Sequence, residues 1–136
     1  MGGEKESLLK LNSILPPMLL PLAAACAPTN ADAPRDIRAP AAAVVGEPVR
    51  CINLSNIRNT QVWDDYTIDF ITTGGRTYRN TLDSQCSRLG FEERFVYETS
   101  LSQLCSADRI AVLESDGRRG VPCGLGEFVP VEVAKK

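Results

Sequence analysis

Histidine is absent from all 136 residues. Its absence removes the commonest general base at neutral pH and the commonest metal ligand, and it excludes Ser-His and Cys-His nucleophilic pairs. Cys-x-x-Cys spacing is also missing, which disfavours a four-cysteine zinc site and thioredoxin-type redox chemistry. Charge of one sign is not in excess. The net charge is −2; residues 1–50 carry five basic and five acidic side chains, and the remainder carries ten and twelve. No bulk attraction to nucleic acid or anionic lipid follows from such a balance. No apolar run reaches the roughly 20 residues that a membrane-spanning helix needs. These absences point away from an enzyme, and no cofactor, metal or nucleic-acid partner is expected.

The longest uncharged, mainly apolar run is residues 11–25, behind Lys5 and Lys10. Its length and its Ala23-Ala24-Ala25 ending suit a signal-peptide core, although Glu4 and Glu6 offset the lysines and three prolines interrupt it. The following residue is Cys26. Leu22-Ala23-Ala24-Ala25-Cys26 is similar to the bacterial lipobox, in which small residues precede a cysteine that is lipidated and becomes the new N-terminus. Here Ala23 stands where that pattern prefers leucine. An Ala-x-Ala cleavage at Ala23 and Ala25 would cut the same bond. Residues 1–25 are read as a signal peptide and Cys26 as the lipidation site, so the membrane is a partner through an N-terminal lipid. Ala27, where an aspartate would favour retention at the inner membrane, directs the expectation to a periplasm-facing outer-membrane location. Residues 26–48 are dominated by Ala and Pro, have no aromatics and show no hydrophobic period; a disordered tether is expected there.

Five cysteines occur: Cys26, Cys51, Cys86, Cys105 and Cys123. Setting Cys26 aside for lipid leaves four, as suits a small disulfide-bonded domain in an oxidising compartment. Four cysteines allow three pairings. Cys86 with Cys105 would clip the two ends of one strand, and Cys51 with Cys123 would tie the first strand to the last; this nested pairing is expected.

From Cys51 onward the hydrophobic period is two. Tyr66, Ile68 and Phe70 alternate with Thr67 and Asp69, and Thr73-Gly74-Gly75 supplies hairpin chemistry. Arg76–Leu82 places Tyr78, Asn80 and Leu82 on one side. Phe95, Tyr97 and Thr99 mark another strand, as do Ile110 and Val112. Asp64-Asp65 and Ser115-Asp116-Gly117 read as turns. Short helical turns are expected around Leu82–Leu89 and from Ser100 to Cys105, with Ser100 as cap. The fold class is mainly β: a small five- or six-stranded barrel, OB-like or SH3-like, spanning residues 49–131 before a tail at 132–136. An open sheet with a packed helix is the alternative.

Cys51-Ile52-Asn53-Leu54, Asp64-Asp65, Gly75-Arg76-Thr77-Tyr78-Arg79-Asn80, Leu89-Gly90-Phe91-Glu92, Leu104-Cys105-Ser106-Ala107-Asp108 and Cys123-Gly124-Leu125-Gly126-Glu127-Phe128 together resemble an uncharacterised family of small bacterial exported, lipoprotein-like proteins. The resemblance implies an envelope location and a four-cysteine β domain. It implies no activity and no catalytic positions.

Four groups of residues carry candidate chemistry. Asp64, Asp65 and Asp69 have the oxygen ligands of a calcium site, but a β-turn followed by a solvent-facing strand position accounts for them. Arg94, Arg109, Arg118 and Arg119 would suit an anion patch; scattered ion pairs with Glu92, Glu93 and Glu114 are the plainer reading. Trp63, Tyr66 and Tyr78 would suit a stacking face, or core and rim packing. Cys123-Gly124-Leu125-Gly126 lacks the ending of a phosphate loop and reads as a bend or bulge. Asp108 is expected to brace the turn after Cys105. Two function classes follow. One is a non-catalytic envelope lipoprotein whose β domain binds a protein or other envelope component. The other is a carboxylate-dependent hydrolase of an envelope polymer, with Asp64 and Asp69 as its pair.

Overall fold

The computed structural model describes residues 37–135, which lie in one compact unit, Pro34–Lys136. The expected signal peptide, the lipidation site Cys26 and the tether as far as residue 36 fall outside the described residues.

Besides the 3₁₀ turn Leu54–Asn56, ten strands and one short α-helix make up this part. They are β1 (Ala42–Val44), β2 (Cys51–Asn53), β3 (Ile57–Val62), β4 (Thr67–Thr72), β5 (Thr77–Thr81), α1 (Leu89–Glu92), β6 (Phe95–Glu98), β7 (Gln103–Cys105), β8 (Arg109–Leu113), β9 (Arg119–Gly124) and β10 (Phe128–Val133). A five-stranded antiparallel sheet runs β1-β10-β5-β4-β3; β6-β8-β9 form a second sheet, and β2-β7 a third. The fold is thus mainly β. The sheets do not close into the expected barrel. Closure requires the edge strands of a sheet to pair, and β1 and β3 stand at opposite edges with no strand between them on the outside. The two smaller sheets cover one face of the large one instead.

The turns are where glycine permits them. Gly75 (φ 81°) lies in the β4–β5 connection and Gly117 (φ 86°) in the β8–β9 connection, both in the left-handed region open to glycine. Period two then sets the core. Ile68 and Phe70 of β4, Phe128 of β10, Leu104 of β7 and Ile110 of β8 are wholly buried in one cluster. The Phe70 ring meets Phe128 edge-on at 5.4 Å and Phe95 at 6.3 Å, joining the large sheet to the three-stranded one.

β4 is buried on both faces, because Thr67 and Asp69 are also enclosed. The cover comes from the chain before β1. Arg38 and Ala39 donate backbone N–H groups to the Asp64 carboxylate at 2.9 and 3.3 Å, and Arg79 donates to the Pro40 carbonyl at 2.7 Å. β1 then pairs with β10, and the Val45 N–H donates to the Pro130 carbonyl at 2.9 Å. Residues 37–48 are therefore part of the domain, and the expected tether cannot extend to residue 48. The cause is backbone hydrogen bonding; Val44 and Val45 leave their side chains exposed. At the other end β10 runs to Val133 and the Ala134 N–H donates to the Ala41 carbonyl, so residues 132 and 133 of the expected tail 132–136 belong to the sheet.

Of the two expected helical turns, α1 begins only at Leu89, the last residue of the first. Gln103–Cys105 is strand, because these residues find the β2 ladder: Cys51 lies directly opposite Cys105. That register makes the Cys51–Cys105 disulfide, and the other joins Cys86 to Cys123. The expected pairs Cys86–Cys105 and Cys51–Cys123 are thus corrected. The loops cross rather than nest, and the second bridge ties the loop after β5 to β9 of another sheet.

Candidate functional site

The three aspartates diverge. Asp64 is buried and accepts the N–H groups of Arg38, Ala39 and Tyr66, the last at 2.8 Å. Asp65 accepts from the Gly90 N–H at 2.8 Å and the Gln85 amide at 2.9 Å. Asp69, expected at the solvent, is buried and directly opposite Arg79 in the β4–β5 register. Arg79 makes two parallel bonds to it at 2.8 and 2.9 Å, and the Trp63 indole donates at 2.8 Å. A buried carboxylate needs such partners, and the cover laid down by residues 38–40 explains why it is buried. Each carboxylate is thus engaged in holding a turn or a strand pair.

The aromatic trio is not brought together. Tyr78 pairs with Phe70 and shares its core-facing side of the sheet, whereas Trp63 binds Asp69 on the opposite side. The four arginines also separate. Arg118 pairs with Asp116 at 2.5 Å and Glu114 at 3.6 Å, and Arg94 approaches Glu92 at 3.9 Å. The Arg118 backbone N–H, then its side chain, hold the Asp116 carboxyl below its ordinary range. Arg109 lies opposite Gly124, at the far end of the β8–β9 ladder from Arg119. Asp108 does brace its turn, accepting the Cys105 N–H at 2.7 Å. Gly126 is required by a close approach: a Cβ there would overlap the Thr81 carbonyl oxygen. Its N–H and carbonyl are both bound by the wholly buried Asn80 side chain, at 2.9 and 2.7 Å.

One groove collects several polar side chains, some of whose donors and acceptors the fold leaves open. A cavity of about 530 Å³ lies between β2, the 3₁₀ turn Leu54–Asn56 and the β4–β5 connection. Asn53, Asn56, Thr72, Thr73, Arg76 and Tyr78 line it. A smaller cavity of about 170 Å³ shares Val49, Arg76 and Tyr78 with it and is bordered by Glu47. The walls are tied together by backbone bonds. The Thr73 N–H donates to the Asn56 carbonyl at 2.9 Å, and Thr72 donates to the Arg76 carbonyl through its N–H at 2.9 Å and its hydroxyl at 3.0 Å. Asn53 caps the 3₁₀ turn, its Oδ1 accepting from the Ser55 N–H and hydroxyl. This leaves the Asn53 amide donors, the Asn56 side chain and the Thr73 hydroxyl with no partner among the described residues.

Arg76 is the single charged residue lining the larger cavity. Its guanidinium reaches the Tyr78 hydroxyl at 3.5 Å and forms no ion pair among the described residues. Comparison with known families, curated proteins and solved structures finds no match.

The sequence pattern singled out Tyr78 but not Arg76, Asn53 or Asn56. A signal for Arg76 was present: it directly follows the Gly74-Gly75 turn, where a side chain stands clear of the sheet. Asn56 enters because it precedes Ile57, which the β3–β4 ladder sets opposite Thr72, and Asn53 because it caps the 3₁₀ turn that leads into β3.

Two disulfides point to an oxidising, extracytoplasmic compartment. No helix among the described residues is long and apolar enough to cross a membrane.

Proposed function

We propose that this chain is a bacterial cell-envelope lipoprotein, anchored through lipid on Cys26, whose β domain is a non-catalytic module that binds an envelope protein or other envelope component. The observation that carries the reading is the pairing of all four domain cysteines, which assigns no disulfide partner to Cys26. A fifth cysteine directly behind Leu22-Ala23-Ala24-Ala25 has the sequence context for acylation. The commitment of Asp64 and Asp69 to hydrogen bonds within the fold favours binding over carboxylate catalysis.

Membrane fractionation and intact-mass analysis test the anchor. The wild-type chain should pellet with membranes and show acyl mass, with Cys26→Ser either released or left unprocessed. Recovery of an unmodified full-length chain from the cytoplasm would refute the proposal. Density-gradient separation then tests the outer-membrane assignment, which rests on Ala27.

A further inference from the structure

We infer that the groove around Arg76 binds a saccharide bearing a carboxylate, of the uronic-acid type; this rests on the reading of the domain as a binding module and names its ligand. The groove is open, with Asn53, Asn56, Thr73 and Arg76 exposed along it, and its volume of about 530 Å³ has room for a sugar ring, small-molecule sites commonly holding about 300–1,000 Å³. Its lining selects the chemistry. A guanidinium presents a planar fork of donors that matches a carboxylate in two parallel bonds. Arg76 is the only charge lining the larger cavity, so it balances one carboxylate of the ligand, and any further carboxylate stays in solvent.

The rest of the lining suits hydroxyls. Asn53 and Asn56 offer carboxamides and Thr73 a hydroxyl, all groups that exchange hydrogen bonds readily with a polyol. Tyr78 adds a half-buried ring whose apolar face can pack against sugar C–H groups while its hydroxyl stays beside Arg76. A purely apolar ligand would desolvate the guanidinium without giving it a partner. The cross-bonded walls described above fix the backbone that carries these groups, while the exposed side chains of Asn53, Asn56, Thr73 and Arg76 are ordered by the ligand itself.

The test is an amide-shift NMR titration of the full, disulfide-intact chain with digalacturonate, its dimethyl ester and the free acid of an N-acetyl dipeptide. Digalacturonate should give saturable shifts at residues 53–56 and 72–78. The ester, which keeps every ring and loses the charge, should bind at least tenfold more weakly, as should the peptide acid. Arg76→Gln should weaken digalacturonate binding at least tenfold while its disulfides and dispersed spectrum persist, and Tyr78→Phe by several-fold. Absence of saturable shifts in the groove, equal binding of the ester, or tighter binding of the peptide acid would overturn the inference. None of these results bears on membrane fractionation, so failure here leaves the anchored-module reading to its own test.

Discussion

Replacing Cys51 and Cys105 together by alanine removes a crosslink between residues separated by 54 positions, and replacing Cys86 and Cys123 removes one spanning 37. Loop-closure entropy released to the unfolded chain is worth about 4 kcal/mol in either case. The two sites differ in what else is lost. Cys51 is exposed, so its truncation leaves no void; Cys86 is wholly buried in the core cluster, and its truncation adds a cavity cost of about 1 kcal/mol. Cys86→Ala/Cys123→Ala should therefore be the more damaging pair, about 5 against about 4 kcal/mol, out of the roughly 5–15 kcal/mol typical of a whole domain. Urea unfolding followed by fluorescence of Trp63, the sole tryptophan, reads this difference. With a slope of about 1.5 kcal/mol/M, each double variant should lower the midpoint by roughly 3 M. The reasoning fails if the Cys51/Cys105 variant is the less stable, or if both lose under about 1 kcal/mol. Tryptic mapping without reduction checks the pairing itself. Peptide 51–58 should be linked to 95–109, and 80–88 to 120–135. A nested pairing would link 51–58 to 120–135.

Asp69→Asn removes the charge that faces the nearly buried Arg79 and should cost about 3 kcal/mol in urea unfolding; a loss within 0.5 kcal/mol, the scale of ordinary surface substitutions, would show the pair is not structural. Gly126→Ala drives a methyl against the Thr81 carbonyl and disturbs both bonds to Asn80, for an expected loss of about 1–3 kcal/mol by the same assay; an unchanged midpoint would refute the close approach. Limited proteolysis should leave a core whose N-terminus, read by mass, lies at or before Ile37, and a stable core starting at Val49 would contradict the β1–β10 pairing. Partial desolvation raises the Tyr97 phenol, still 38% exposed, above its ordinary 10.0, so the neutral form makes a small contribution to stability that is full below about pH 10 and is lost as pH rises through the raised value. Tyr97→Phe should flatten the fall in urea midpoint above pH 10, and an identical alkaline profile would count against that origin.

Short-range chemistry was legible in the residues alone. Alternation marked Ile68 and Phe70 as core, Gly75 and Gly117 fixed two hairpin turns, and Asp108 braced its turn, because each depends on neighbours within a few positions. The mainly β class follows from the same period of two. Partner choice at long range was decided by tertiary structure. Cys105 belongs to Cys51 because β7 lies in register with β2, and nothing in the spacing encodes which strand a three-residue segment will meet. Asp69 looked solvent-facing until residues 38–40 covered its side of the sheet and Arg79 came opposite it. Residues 42–44 looked like tether because their contribution is made by backbone hydrogen bonds, which every residue except proline can form and which leave no hydrophobic pattern. The groove has the same origin: Arg76 and Tyr78 come from one hairpin, Asn53 and Asn56 from a segment 20 or more positions earlier, and the pairing of β3 with β4 brings the 3₁₀ turn beside that hairpin.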